Sequence, residues 1–149
     1  TVVGLFQTLN RSEAKFKLII SPTPIIGPDR NNKRDNHANI QFNHEGNELR
    51  KRLADYPGTI IFCGDRHWQY ASEDEETGLW EFGCGPGSEK HQLGWREGDV
   101  HSLHRFLRVA GGFLSGELSY PKSANSAPKL TLRHHKVTGE IVSEFNFEQ

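Results

Sequence analysis

The sequence predicts an α/β (α+β) chain, a single domain over residues 1–149 in which a mixed β-sheet carries a helix and passes into C-terminal antiparallel strands. Three observations predict it. Two compact apolar runs, Phe16–Ile20 and Thr59–Cys63, flank a segment of helical period. Several β-type segments separated by turn residues close the chain. Fifteen glycines and 7 prolines supply the punctuation that such a chain needs.

In order, Leu5 to Leu9 reads as the end of a helix, and Phe16-Lys17-Leu18-Ile19-Ile20 as a buried strand. Ser21-Pro22-Thr23-Pro24 ends that strand, because proline has no amide to give a ladder and constrains the residue before it. A polar loop runs from Gly27 to Asn43. Its length and polarity mark it as functional or disordered. Leu49, Leu53 and Tyr56 fall at helical spacing within a helix over Glu45 to Asp55. Lys51 and Arg52 sit near its C-terminal end, where positive charge suits the dipole, and Pro57-Gly58 breaks it. Thr59–Cys63 is a second buried strand. Gln69 to Ser72 and Leu79 to Cys84 read as strands around the acidic turn Glu73–Gly78, and Gly83 to Gly87 as a tight loop. Residues 88–104 are irregular. Phe106–Val109, Gly112–Ser119, Lys129–His134 and Ile141–Phe147 complete the run, with turns at Pro121 to Pro128 and at Thr138-Gly139.

A formal net charge of -1 and a pI near 6.7 give no electrostatic footprint for nucleic acid or an anionic membrane. No run approaches the ~20 apolar residues of a membrane span. The chain contains no methionine and begins at Thr1, which points to a processed form or a piece of a longer protein. Cys63 and Cys84 are too few for a disulfide scaffold. They read as two small buried side chains, with a single bridge as the alternative.

Chemistry concentrates at Gly64-Asp65-Arg66-His67, immediately after the second strand. Glycine would allow a sharp turn, and ligands in open α/β sheets gather at the carboxyl ends of strands. A carboxylate and an imidazole two residues apart suit a hard or borderline metal; otherwise Asp65 caps amides and His67 is a surface residue. Arg66 could fork onto a phosphate or pair with the acidic turn. Asp35-Asn36-His37 lies in the long loop. There it would touch substrate, with His37 as general acid, or simply be solvated. Gly83 to Gly87 could offer amides to an anion, but reads first as a turn. His91, Trp95, His101 and His104 have no standard zinc spacing and read as scattered surface groups. His134-His135 reads as an edge-strand pair pointing to opposite faces.

Taken together, the segments Phe16–Pro24, Asp35–Asn39, Ile61–Trp68, Gly83–Pro86, His104–Val109 and Gly111–Phe113 resemble the C-terminal half of the PhoD-like alkaline phosphatases and phosphodiesterases. That branch lies within the calcineurin-like metallophosphatases. The wider group's last metal motif is Gly-His-X-His, and the PhoD-like branch has aspartate at its second position, as at Asp65. The resemblance implies part of an αββα sandwich and a dinuclear metal centre of iron, calcium, zinc or manganese. In it Asp65 and His67 are metal ligands. His37 and Arg66 are second-tier candidates for proton transfer or substrate contact, Asp35 and Asn36 are candidates for substrate contact, and Trp68 would pack beneath the loop. The substrate would be a phosphate ester. Two ions about 3.5–4 Å apart would clamp it and activate the attacking water. The other ligands would come from an upstream half of the same protein, without which the sheet would expose apolar surface and self-associate. The sequence leaves the compartment open, and a periplasmic or extracellular site is plausible on the same ground. The competing class is a non-catalytic β-rich binding domain.

Overall fold

Strands β1 (Lys17–Ser21) and β2 (Thr59–Cys63) run side by side and parallel, with Ile19 opposite Ile61. A computed structural model describes residues 2–30, 33–91, 94–95, 101–120 and 127–149. The expected turn over 121–126 and part of the irregular stretch before residue 101 lie outside the described residues.

The helices are α1 (Val2–Arg11) and α2 (Asn43–Ala54), with a short 3-10 turn, Ile40–Phe42, leading into the second. The first is longer than the Leu5–Leu9 core suggests. Phe6 and Leu9, three apart, form its buried stripe. The remaining strands are β3 (Gln69–Glu73), β4 (Trp80–Cys84), β5 (His104–Arg108), β6 (Gly112–Ser119), β7 (Lys129–Lys136) and β8 (Ile141–Glu148).

They form two sheets, a mixed one ordered β1-β2-β4-β3-β5 and an antiparallel one ordered β6-β7-β8. Alternation along each strand divides the first sheet's two faces. On one face Ile61 joins Phe6, Leu9, Leu53 and Leu79 beneath the helices. On the other, Ile60 and Phe82 meet Leu130 and Leu132 of β7, with Phe145 and Phe147 of β8 against them. Trp80 knits that face, its ring 5.2 Å from Phe145 and 5.6 Å from Phe147. Fully burying one such side chain is worth about 1.5–3 kcal/mol, so these contacts dominate the packing energy.

Several expectations are corrected. The first strand is not buried on both faces: Leu18 is 49% and Ile20 83% exposed. The three-stranded sheet covers β2 and β4 but stops short of the β1 edge. The histidine pair is not on an edge strand, because β7 is central and His134 is fully buried. Its inward and outward alternation does hold, since His135 stacks on exposed Phe113 with centroids 4.5 Å apart. His104 is likewise buried, its Nδ1 2.9 Å from Ser72 Oγ. Cys63 is buried but Cys84 is exposed, and both are free thiols. Cys84 closes β4 on the rim of an open groove rather than in the core.

Candidate functional site

β2 delivers its last residue, Cys63, to the carboxyl end of the parallel strands, where Gly64 N donates to Ser21 O at 2.9 Å and prolongs the β1 pairing. The turn that follows does not use glycine's freedom. A Cβ on Gly64 would meet nothing closer than 3.8 Å, and Asp65 is the residue with a left-handed backbone, φ 58. That conformation costs a non-glycine residue about 1–2 kcal/mol, least for Asp and Asn. It throws Asp65 and His67 outward, both exposed, and buries Arg66 and Trp68 between them.

Trp68 packs beneath the loop, edge-on to Trp95 at 6.2 Å, with the Arg30 guanidinium 5.5 Å from its ring. Arg66, 4% exposed, organises the acidic residues around it. Its Nη1 donates to Asp65 Oδ2 at 2.9 Å, and its Nη2 lies 2.8 Å from Asp29 Oδ2 and 3.5 Å from Asp35 Oδ1. The contact with Asp29 is a close ion pair rather than a well-aligned hydrogen bond, and Arg66 Nε has no acceptor among the described residues. Asn36, also buried, donates from Nδ2 to Asp29 Oδ2 and Asp35 Oδ1, each at 3.0 Å. The Asn36 amide holds the Asp35 carboxyl below the usual carboxylate range. The Arg66 charge adds to this, against an opposing push from burial.

Arg66 therefore does not pair with the acidic turn. There, Glu73 and Glu75 take Arg105, Asp74 takes Arg50 and Glu76 takes Lys51. Four of the six sequence-nominated residues, Asp35, Asn36, Asp65 and Arg66, form one bonded network. His37 stands beside it, its Nε2 3.7 Å from Glu45 Oε2. His67 is exposed on the same loop as Asp65.

Two devices place the long loop, and neither was read from the sequence. Glu81, wholly buried in β4, accepts the backbone amides of Ile25, Ile26 and Gly27 at 2.6, 3.0 and 2.9 Å and the Tyr70 hydroxyl at 2.7 Å. Burial, then the Glu81 charge, drives the Tyr70 phenol well above its usual range and keeps it a donor. The second device is Gly46 in α2, where a Cβ would sit 2.2 Å from His37 O. A lone charge in an otherwise apolar strand and a glycine inside a helix were the available signals. Asp29 was visible only as one polar loop residue among many.

Asp65 and His67, a carboxylate and an imidazole of the types that metals take, are both exposed on the loop. Asp65 has Oδ1 uncommitted to Arg66. Among the described residues, no group of three or more His, Cys, Asp or Glu side chains is placed to hold an ion. No protein-family model and no curated protein sequence matches this chain. No helix among the described residues is long and apolar enough to cross a membrane.

Proposed function

We propose that this chain is the C-terminal part of a metal-dependent phosphoric ester hydrolase and supplies its last metal-binding motif. The observation that carries the reading is Asp65, a left-handed non-glycine residue at the carboxyl end of a parallel strand. It presents a carboxylate two residues before an exposed imidazole, with a buried arginine bound to one of its oxygens. Strained backbone of this kind is worth keeping where it aims a side chain.

In this reading Asp65 and His67 would hold iron, calcium, zinc or manganese with ligands from an upstream half of the protein. The bound metal would polarise the phosphoryl oxygens and lower the pKa of the attacking water. Arg66 is better suited to holding Asp65, Asp29 and Asp35 in place than to free contact with phosphate, since three carboxylates already surround it. Its Nε remains a donor for one further acceptor. His37, half-exposed on the loop beside Asp35, suits protonation of the leaving oxygen. The two sheets would be the C-terminal share of an αββα sandwich, and β1's free edge and exposed Leu18 and Ile20 are where further strands of the upstream half would add.

The test is hydrolysis of 4-nitrophenyl phosphate and its bis-ester by the protein that carries this chain with its upstream half. Activity that requires added metal and vanishes in His67→Ala supports the reading. Activity unchanged in that variant contradicts it.

A second reading, a non-catalytic β-rich binding domain, is favoured by one feature. An apolar groove of about 530 Å³ opens between Leu18 and Phe62 of one sheet, with Phe16 just before β1, and Leu114, Leu118 and Leu130 of the other. If the groove is the functional surface, metal is irrelevant, and His67→Ala leaves every binding property intact.

A further inference from the structure

We infer that Asp29 is a positioning residue of the metal motif: it anchors Arg66, and Arg66 holds one oxygen of Asp65 so that the other is left for an ion. The inference rests on the hydrolase reading above and adds to that site a residue outside the motif. Asp29 has a wholly buried side chain, and both of its oxygens are engaged within the protein. Its Oδ1 accepts the Arg30 amide at 2.7 Å. Its Oδ2 accepts Asn36 Nδ2 at 3.0 Å and lies 2.8 Å from Arg66 Nη2. With no oxygen turned to solvent, Asp29 acts through its partners. Arg66 Nη1 donates to Asp65 Oδ2 at 2.9 Å, so one planar guanidinium spans the buried carboxylate and the exposed one.

The sheet sets the place of Asp29. Glu81 of β4 fixes the amides of Ile25, Ile26 and Gly27, just ahead of it. Gly27, with φ 72, passes so near the far side of the loop that an added Cβ would sit 2.5 Å from the Ala38 Cβ. His37 N donates to Pro24 O at 3.2 Å, which closes the loop at its base. Asp29 therefore stands next to a fixed part of the loop. Asp65, by contrast, is exposed and left-handed, and its carboxylate takes its support from Arg66. The buried pair also matters for charge. Asp29 takes up the Arg66 charge from beneath, and that charge would otherwise fall on Asp65 and oppose a cation there, since buried charges are little screened. Groups that orient a metal ligand in this way contribute about 10–100-fold to metal affinity.

The experiment is NMR of this chain, metal-free and titrated with Mn²⁺, in the parent, in Asp29→Asn and in the double variant Asp29→Leu/Arg66→Met, with urea unfolding of each. Asparagine keeps the shape of Asp29 and loses its charge. Without metal, the Arg66 Nη resonances of the parent should be separate, as a guanidinium held at both arms requires, and should merge through fast rotation in Asp29→Asn. With Mn²⁺, Asp29→Asn should bind about tenfold more weakly, read on the Gly64–Trp68 amides. The double variant separates position from stability. Its urea midpoint recovers, whereas its Mn²⁺ affinity stays about tenfold below that of the parent, because nothing then holds Asp65 Oδ2. The inference is overturned if the Arg66 arms rotate freely in the parent or stay separate in Asp29→Asn. It is equally overturned if Asp29→Asn binds Mn²⁺ as the parent does, or if affinity returns together with stability in the double variant. Mn²⁺ that fails to broaden the Gly64–Trp68 amides of the parent contradicts the hydrolase reading itself, and the metal-free Arg66 signals then report the Asp29 anchor on their own.

Discussion

Arg66 Nη2 lies 2.8 Å from Asp29 Oδ2, with the two side chains 2% and 0% exposed. Removing one partner of a buried pair costs up to about 3–5 kcal/mol, here tempered because Asp65 and Asp35 stay against Arg66, whereas replacing both by apolar groups can be nearly neutral. Asp29→Ala is therefore expected to lower the urea midpoint sharply. The double variant Asp29→Leu/Arg66→Met should recover much of the loss while freeing Asp65. A double-mutant cycle measures both, and additive losses would mean that the pair is not coupled.

Glu81→Gln tests the loop clamp. Gln keeps the shape but loses the charge that three amides and a phenol converge on. Hydrogen bonds to a charged group are worth about 1.5–3 kcal/mol each, so a loss of at least about 2 kcal/mol is expected. Faster hydrogen exchange should be confined first to Ile25, Ile26 and Gly27. Uniform acceleration along the chain would point to general destabilisation instead.

Gly46→Ala sets two effects against each other. Alanine favours the helix by about 1 kcal/mol over glycine. Its Cβ, however, would lie 2.2 Å from His37 O, and such overpacking costs about 1–3 kcal/mol. The clash is against backbone and should win. The variant should be less stable by thermal denaturation, and the His37 resonances should move. A stabilised variant would mean that the loop yields freely.

Two buried imidazoles make the fold acid-sensitive. Burial pulls His104 and His134 from the ordinary 6.5 down to about 4, with neighbouring His101 and His135 adding to it. The unfolded chain then binds more protons between pH 6.5 and 4. Stability is full above about 6.5 and falls as pH drops toward 4, by at most about 3 kcal/mol for each group. His134→Gln, which can still donate to Gly83 O in place of Nε2, should flatten that fall. Urea titrations at pH 7 and 4.5 decide the matter, and an unchanged slope in the variant would contradict the assignment.

Ile20→Lys, at a position 83% exposed on an edge strand, should reduce self-association in sedimentation without lowering the thermal midpoint. Equal association in the variant would exclude the β1 face as the contact.

Much of the fold was legible because period and punctuation agree with the tertiary outcome. The spacing of Leu49 and Leu53 and the break at Pro57-Gly58 locate α2, and Gly112–Ser119 is a strand with those bounds. What failed depended on partners distant in sequence. An apolar run such as Lys17–Ser21 does not reveal that the facing sheet ends before it, nor does His134-His135 reveal a strand on each side. The site was half legible. Asp65 and His67 stand out as a motif, but Asp29 and Glu81 matter through bonds spanning 37 and 54–56 residues, which no local pattern encodes.

The central claim is that Asp65 and His67 hold a metal ion. Paramagnetic broadening by Mn²⁺, read on the amides of the Gly64–Trp68 loop, tests it most directly. The account predicts selective, saturable broadening there, lost in His67→Ala and weakened in Asp65→Asn. Broadening that is absent, or that persists undiminished in both variants, would contradict it.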